Sequence, residues 1–233
     1  MKSRSWFTMI NGVLVCSIAV LLAAALVQAE ELPLVVKEDF DGSGGQLPES
    51  WVVLPRGGSS DTPDISKEQA LSGEYSLRIW RTRNAVNMTN WVAIQFTPLK
   101  ERAVISFSFW ASDVQRSLVM SLIGSDQPMN SLMGGEAGPF LVLRNGALQN
   151  YDTAFWDIAP YVPEKWYRVS IDIDVTAAVF DVYVDGEKAN FVPLKYRNNK
   201  VSDIAAFGIG FHAASNTAGY LPVYIDDFEV RGK

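Results

Sequence analysis

The chain has 233 residues, 48% hydrophobic and 20% charged, enough for one domain with a sizeable core and too apolar for a disordered segment. Its 20 basic residues face 26 acidic ones, a formal charge of −6, which makes nucleic acid a poor partner. With one cysteine, Cys16, and one histidine, His212, a disulfide framework, a thiolate metal site and a zinc site of several histidines are all excluded.

Residues 1–29 read as a secretory leader: Lys2 and Arg4, an apolar run over 13–27, then Val27-Gln28-Ala29 ahead of Glu30-Glu31. Cleavage after Ala29 leaves residues 30–233 as one domain, secreted or placed in the periplasm or cell envelope, with no membrane anchor. Lys2, Arg4 and Cys16 depart with the leader, so 18 basic residues face 26 acidic ones, a charge of −8, and no cysteine remains.

Residues 34–40 read as a first strand, broken by Gly42, Gly44 and Gly45, and 51–54 as a second. The polar stretch 55–67 reads as a long surface loop. Residues 74–81 put Tyr75, Leu77 and Ile79 on one face and Ser76, Arg78 and Trp80 on the other. The same period of two places Val92, Ile94 and Phe96 opposite Trp91, Ala93 and Gln95, and Ile105, Phe107 and Phe109 opposite Ser106, Ser108 and Trp110. Residues 118–123 are expected to pair with 104–111. Residues 124–138 lack periodicity and read as a long loop, a common place for function. Asn145-Gly146 between apolar runs marks a hairpin within 140–148, continued by 151–156.

The clearest element is the hairpin 166–188. Tyr167, Val169, Ile171 and Ile173 alternate with Arg168, Ser170, Asp172 and Asp174; a turn at 176–178 leads to Phe180, Val182 and Val184 facing inward, and Asp185-Gly186 marks a further turn. Short strands follow at 191–194, at 204–212, where Phe207, Ile209 and Phe211 alternate with Gly208, Gly210 and His212, and at 221–231. About twelve short strands without helical periodicity predict an all-β, two-sheet antiparallel sandwich of the jelly-roll kind.

The runs Glu38-Asp39-Phe40-Asp41-Gly42, Leu47-Pro48-Glu49-Ser50-Trp51, Ala70-Leu71-Ser72-Gly73-Glu74-Tyr75-Ser76-Leu77, Lys165-Trp166-Tyr167-Arg168-Val169, Val184-Asp185-Gly186 and Tyr224-Ile225-Asp226-Asp227-Phe228-Glu229-Val230 carry a resemblance. They are similar to the concanavalin A-like, laminin-G-like jelly rolls of secreted carbohydrate-binding modules, over nearly the whole of residues 30–233. The resemblance implies that the first and last strands lie side by side and that a structural calcium ion sits there. Glu38 and Asp226 are its expected ligands, because they share the parity of Phe40 and Phe228 and a hard cation takes an oxygen cluster; Asp39, Asp41 and Asp227 are further candidates.

Sugar binding needs a flat aromatic surface for the apolar face of a pyranose and planar hydrogen bonds to its hydroxyls. Trp80, Trp91 and Trp110 all fall on the polar parity of their strands, with Arg78 and Gln95, and His212 falls on that of a glycine-bearing strand. These six are the expected ligand-binding residues, on a concave face where Gly208 and Gly210 leave room for a glycan. The leading expectation is a non-catalytic polysaccharide-binding protein. One alternative is a lyase or glycoside hydrolase using the same face. A retaining hydrolase requires two carboxyls about 5 Å apart, which Asp172 and Asp174 supply at i and i+2, yet the Glu-x-Asp-x-x-Glu pattern of the family 16 glycoside hydrolases is absent. A lyase draws on His212, Arg78, Gln95 and Tyr183, without the Gln-Ile-His strand of alginate lyases. The other alternative is a structural or adhesive envelope protein with no sugar ligand.

Overall fold

The computed structural model describes residues 31–56, 61–81, 89–114, 117–212 and 220–233. The expected leader, 1–29, lies outside the described residues. Strands form where the sequence alternates: β1 (Leu34–Glu38), β2 (Trp51–Leu54), β3 (Asp64–Ser66), β4 (Ser76–Ile79), β5 (Trp91–Leu99) and β6 (Arg102–Ala111). Then follow β7 (Leu118–Ile123), β8 (Phe140–Arg144), β9 (Ala147–Tyr151), β10 (Phe155–Pro160), β11 (Trp166–Asp174) and β12 (Val179–Val184). The last are β13 (Glu187–Lys188), β14 (Leu194–Lys195), β15 (Ile204–Phe211) and β16 (Val223–Gly232). Among the described residues the only helical pieces are single 3-10 turns at Asp41–Ser43 and Met129–Met133, and no helix is long and apolar enough to cross a membrane.

The strands pair antiparallel into two sheets. The first runs β13-β12-β11-β6-β16-β4-β3, with β1 on β16 and β14 on β12; the second runs β10-β9-β8-β7-β15-β5-β2. The expected pairing of the first and last strands holds, Glu38 lying opposite Phe228. Two expectations change. The segment 118–123 does not pair with β6: it enters the second sheet between β8 and β15, while β6 takes β11 and β16 as neighbours. The loop expected over 55–67 contains β3, whose Asp64 lies opposite Arg78.

The 166–188 hairpin is β11 and β12, in register from Val169 opposite Val184 to Asp174 opposite Val179. Its turns close on residues with positive φ, Ala178 at 52° and Asp185 at 52° followed by Gly186 at 86°, which suits the right-handed twist of the arms. The inward residues of both sheets meet in one core. Phe107 of β6 touches Phe207 of β15 at 5.7 Å between ring centroids; Phe207 and Trp51 each reach Phe228 of β16 at 5.1 Å. Burying a Phe or Leu side chain contributes about 1.5–3 kcal/mol, and tilted ring pairs add about 0.5–1.5 kcal/mol, so this seam holds the sheets together.

Candidate functional site

The fold divides the six residues expected to bind sugar. Arg78 of β4, Trp80 just beyond it and Trp110 of β6 belong to the first sheet; Trp91 and Gln95 of β5 and His212, at the end of β15, belong to the second. Of the clefts among the described residues, the one that any of the six lines contains His212 alone of them. Arg78 is spent on its own surroundings: it grips Asp64 with two bonds of 2.7 and 2.6 Å, reaches Glu68 at 2.7 Å and donates to the Tyr220 hydroxyl. Those partners raise its pKa above the usual arginine value, Asp64 first. Trp80 packs on Tyr220 and Trp110 edge-on against Tyr224.

Trp91 is 1% exposed. A Cβ built on Gly210 would lie 2.3 Å from its indole, and one on Gly208 would lie 2.7 Å from Leu132, a residue of the 124–138 loop. The two glycines therefore make hollows for the chain's own Trp91 and Leu132, a correction to the expected room for a glycan. The loop is pinned there: the Ser121 hydroxyl donates to Leu132 O, and Asp203 accepts from the Ser125 N–H and hydroxyl at 2.7 Å each.

What the loop leaves open on the outer face of the second sheet is a cleft of about 330 Å³. Strand alternation supplies most of it: Val119 from β7, Phe140, Val142 and Arg144 from β8, Tyr151 from β9 and Phe155 from β10. Ser117, Met133, Arg197 and His212 complete the lining, and among the described residues no carboxylate contributes to it. Phe140, Tyr151 and Phe155 form a continuous wall, with ring centroids 5.9 and 4.5 Å apart. The Arg197 guanidinium lies over Phe140 and Tyr151 at 4.5 and 4.7 Å, and Arg144 lies over Phe155 at 4.5 Å. Neither arginine has a carboxylate partner among the described residues.

Local structure explains the placement. Arg144 takes the outward parity of β8 next to the Asn145-Gly146 turn, whose φ values are 53° and 76°. Arg197 is carried by the segment after β14, zipped to the 124–138 loop by Arg197 N–H to Gly138 O at 2.9 Å and Asn198 N–H to Ala137 O at 3.0 Å. Burial pulls the Arg197 pKa below the ordinary arginine value, but a guanidinium remains charged. Burial first, then the charges of Arg197 and Arg56, lower the His212 pKa, so the imidazole is neutral at pH 7. The cleft thus offers an aromatic wall of mutually tilted rings, two guanidiniums without carboxylate partners among the described residues, and a neutral imidazole able to accept a proton. Sequence reading missed Arg144, Arg197, Tyr151 and Phe155. The alternation through 140–144 is a signal that could have found Arg144, whereas Arg197 lies in an aperiodic loop and carries none.

Glu38 lies opposite Phe228, and the course of β16 determines where Asp226 sits relative to that pair. Asp226 lies opposite Ser108 on the outward face; the bulge at Asp227, φ 49°, then inserts an extra residue, so Phe228 turns into the core. Asp226 is fully buried and accepts backbone N–H bonds from Leu71, Ser72 and Asp227 at 2.8, 3.1 and 2.8 Å. Glu38 accepts from the Phe40 N–H, and Asp41 from those of Glu74 and Tyr75. Burial raises the pKa of both Glu38 and Asp226. Among the described residues no three acidic, histidine or cysteine side chains form a metal-binding group. Asp226 and Asp41 thus hold residues 71–75 by their backbone N–H groups, whereas Glu38 bonds within its own turn at Phe40. Asp172 and Asp174 are likewise occupied, the first in a two-bond pair with Arg102, the second by Thr176 and the Ala177 N–H.

No family model and no curated protein matches the sequence. Solved structures do match in shape. A sialidase superposes with a TM-score of 0.65 at 15% identity, over 87% of this chain and 19% of its own, so the chain spans about a fifth of that protein. An endo-β-1,4-glucuronan lyase from Trichoderma reesei gives 0.57 at 14% identity, over 81% of this chain and 93% of its own. The cellulose-induced protein Cip1 gives 0.64 at 12% identity, over 85% and 97%. At these identities the likeness establishes the jelly-roll β-sandwich and nothing finer.

Proposed function

We propose that the protein is an exported, concanavalin A-like jelly roll that binds an acidic polysaccharide in the cleft on the outer face of its second sheet. The observation that carries this reading is the pair of guanidiniums, Arg144 and Arg197, laid without carboxylate partners along the wall of Phe140, Tyr151 and Phe155. A uronate carboxylate is met by such a planar donor fork, and the apolar side of the sugar packs beside the exposed Phe155 ring. In a chain of net charge −6, a cleft lined only by basic and neutral residues selects for anionic ligands locally.

Affinity electrophoresis in gels containing a polyuronate tests this. The wild-type chain is expected to be retarded, less so as salt is added, because screening weakens exposed charge pairs. A charged hydrogen bond contributes about 1.5–3 kcal/mol; discounted for the partial exposure of both arginines, Arg144→Ala with Arg197→Ala is expected to weaken binding by about 10- to 100-fold. Unchanged retardation of the double variant sinks the proposal.

The neutral His212 supports a second reading, β-elimination in the same cleft. There the imidazole removes the proton beside the uronate carboxyl while a guanidinium stabilises the charge that develops; the freed electron pair forms the carbon–carbon double bond as the glycosidic C–O bond breaks, and the departing oxygen takes a proton from water. Release of unsaturated-uronate absorbance from a polyuronate, lost in His212→Ala, separates an enzyme from a binder; no release across a panel of uronates leaves binding alone.

A further inference from the structure

We infer that the opposite sheet carries a second glycan site, for neutral sugars, independent of the cleft proposed above. Its base is a cross-strand row on the outer face of the first sheet: Trp166 of β11 lies opposite Trp110 of β6, Trp110 opposite Tyr224 of β16, Tyr224 opposite Arg78, and Arg78 opposite Asp64. Trp166 to Tyr224 spans two strand spacings, about 10 Å. Trp110 and Trp166 are only half-buried and Tyr224 supports Trp110 edge-on from the side, so two indoles lie side by side outside the core. Outward-facing indoles in register form a contiguous apolar strip that a solvated sheet face has no structural need for.

The next row makes the strip a site. Arg168, Ser108 and Asp226 lie in register beside it, and Arg168, Ser108, Lys37, Glu38, Asp39, Asp227 and Glu229 contribute to a cleft of about 410 Å³. Ser108 is 1% exposed and its hydroxyl has no hydrogen-bond partner among the described residues. A buried hydroxyl without a partner costs about 1–3 kcal/mol, a cost that a ligand hydroxyl in the cleft removes. Arg168 is fixed by donating to Asp227 O at 2.7 Å, and the Lys37 ammonium has no carboxylate partner among the described residues. Two basic and four acidic side chains line this cleft, so a polyanion is disfavoured. A neutral pyranose, which donates and accepts through every hydroxyl and stacks on an indole, meets both the strip and the cleft.

The test is affinity electrophoresis of the full chain in gels containing neutral polysaccharides: a β-glucan, a xylan and a galactomannan. At least one is expected to retard the wild type. Ser108→Ala is expected to weaken that binding by about 3- to 10-fold while thermal stability holds or rises, since the variant removes a hydroxyl that has no partner among the described residues. Trp110→Ala and Trp166→Ala are expected to abolish it, and Arg144→Ala with Arg197→Ala to leave it unchanged. Absence of retardation by any neutral polymer overturns the inference. So does retardation that survives both Ser108→Ala and Trp110→Ala, or that disappears with the two arginines. Polyuronate gels run in parallel report on the other cleft, so each site fails or stands by itself.

Discussion

Replacing Gly210 by alanine asks whether the hollow on β15 belongs to the chain or to a ligand. A Cβ at this position lies 2.3, 2.4 and 2.6 Å from Cδ1, Cγ and Nε1 of Trp91, at least about 1 Å inside carbon–carbon contact. The indole has nowhere to go, being 1% exposed and packed in a cluster with Ala93, Leu132 and Ala206. Overpacking of this kind costs about 1–3 kcal/mol, against a gain of about 0.4–1 kcal/mol from restricting the unfolded chain when glycine becomes alanine. The net expectation is a loss of about 1–2 kcal/mol, which for a domain of this size lowers Tm by about 2–8 °C. Thermal or urea denaturation of the two chains reads it directly. If the hollow were open for a sugar, only the entropic gain would remain and Tm would rise, so the sign decides. In a Trp91→Leu background the Gly210→Ala step is expected to cost nothing, a coupling that places the effect in this one contact. A Gly210→Ala chain as stable as the wild type refutes the assignment of Trp91 to the packing beneath the loop.

Two further outcomes follow from buried groups. Asp226→Ala orphans the N–H groups of Leu71, Ser72 and Asp227 and is expected to cost about 2–4 kcal/mol, with hydrogen exchange accelerated first at residues 71 and 72; wild-type stability would show that these bonds do not hold the loop. His212 has a lowered pKa in the fold, so below the unfolded value of about 6.5 the unfolded chain binds a proton that the native imidazole refuses. Its contribution to stability is full above that value and is lost as pH falls through the lowered native one. A His212→Gln chain is therefore expected to lose less Tm than the wild type on going from about pH 7 to pH 5; parallel pH profiles would show that His212 does not titrate differently in the fold.

Much was legible in the residues alone. Alternation through 91–96, 104–111, 166–174 and 204–212 reports burial on one side, and Ile94, Phe107, Ile171 and Phe207 are all core residues. The turns at Asn145-Gly146 and Asp185-Gly186 adopt the positive φ that their composition demands. Parity, however, says only whether a side chain faces the core. In a two-sheet sandwich each sheet has its own outer face, so Trp110 and Trp91 share a parity and still point away from each other's sheet. Sheet membership depends on which strands pair across tens of residues, as β6 does with β16 and β7 with β15, and no local pattern encodes it. The bulge at Asp227 defeated parity within a single strand and separated Asp226 from Phe228. The cleft itself joins β8, β9 and β10 to a loop residue, Arg197, so only the tertiary structure brings its two guanidiniums onto one aromatic wall.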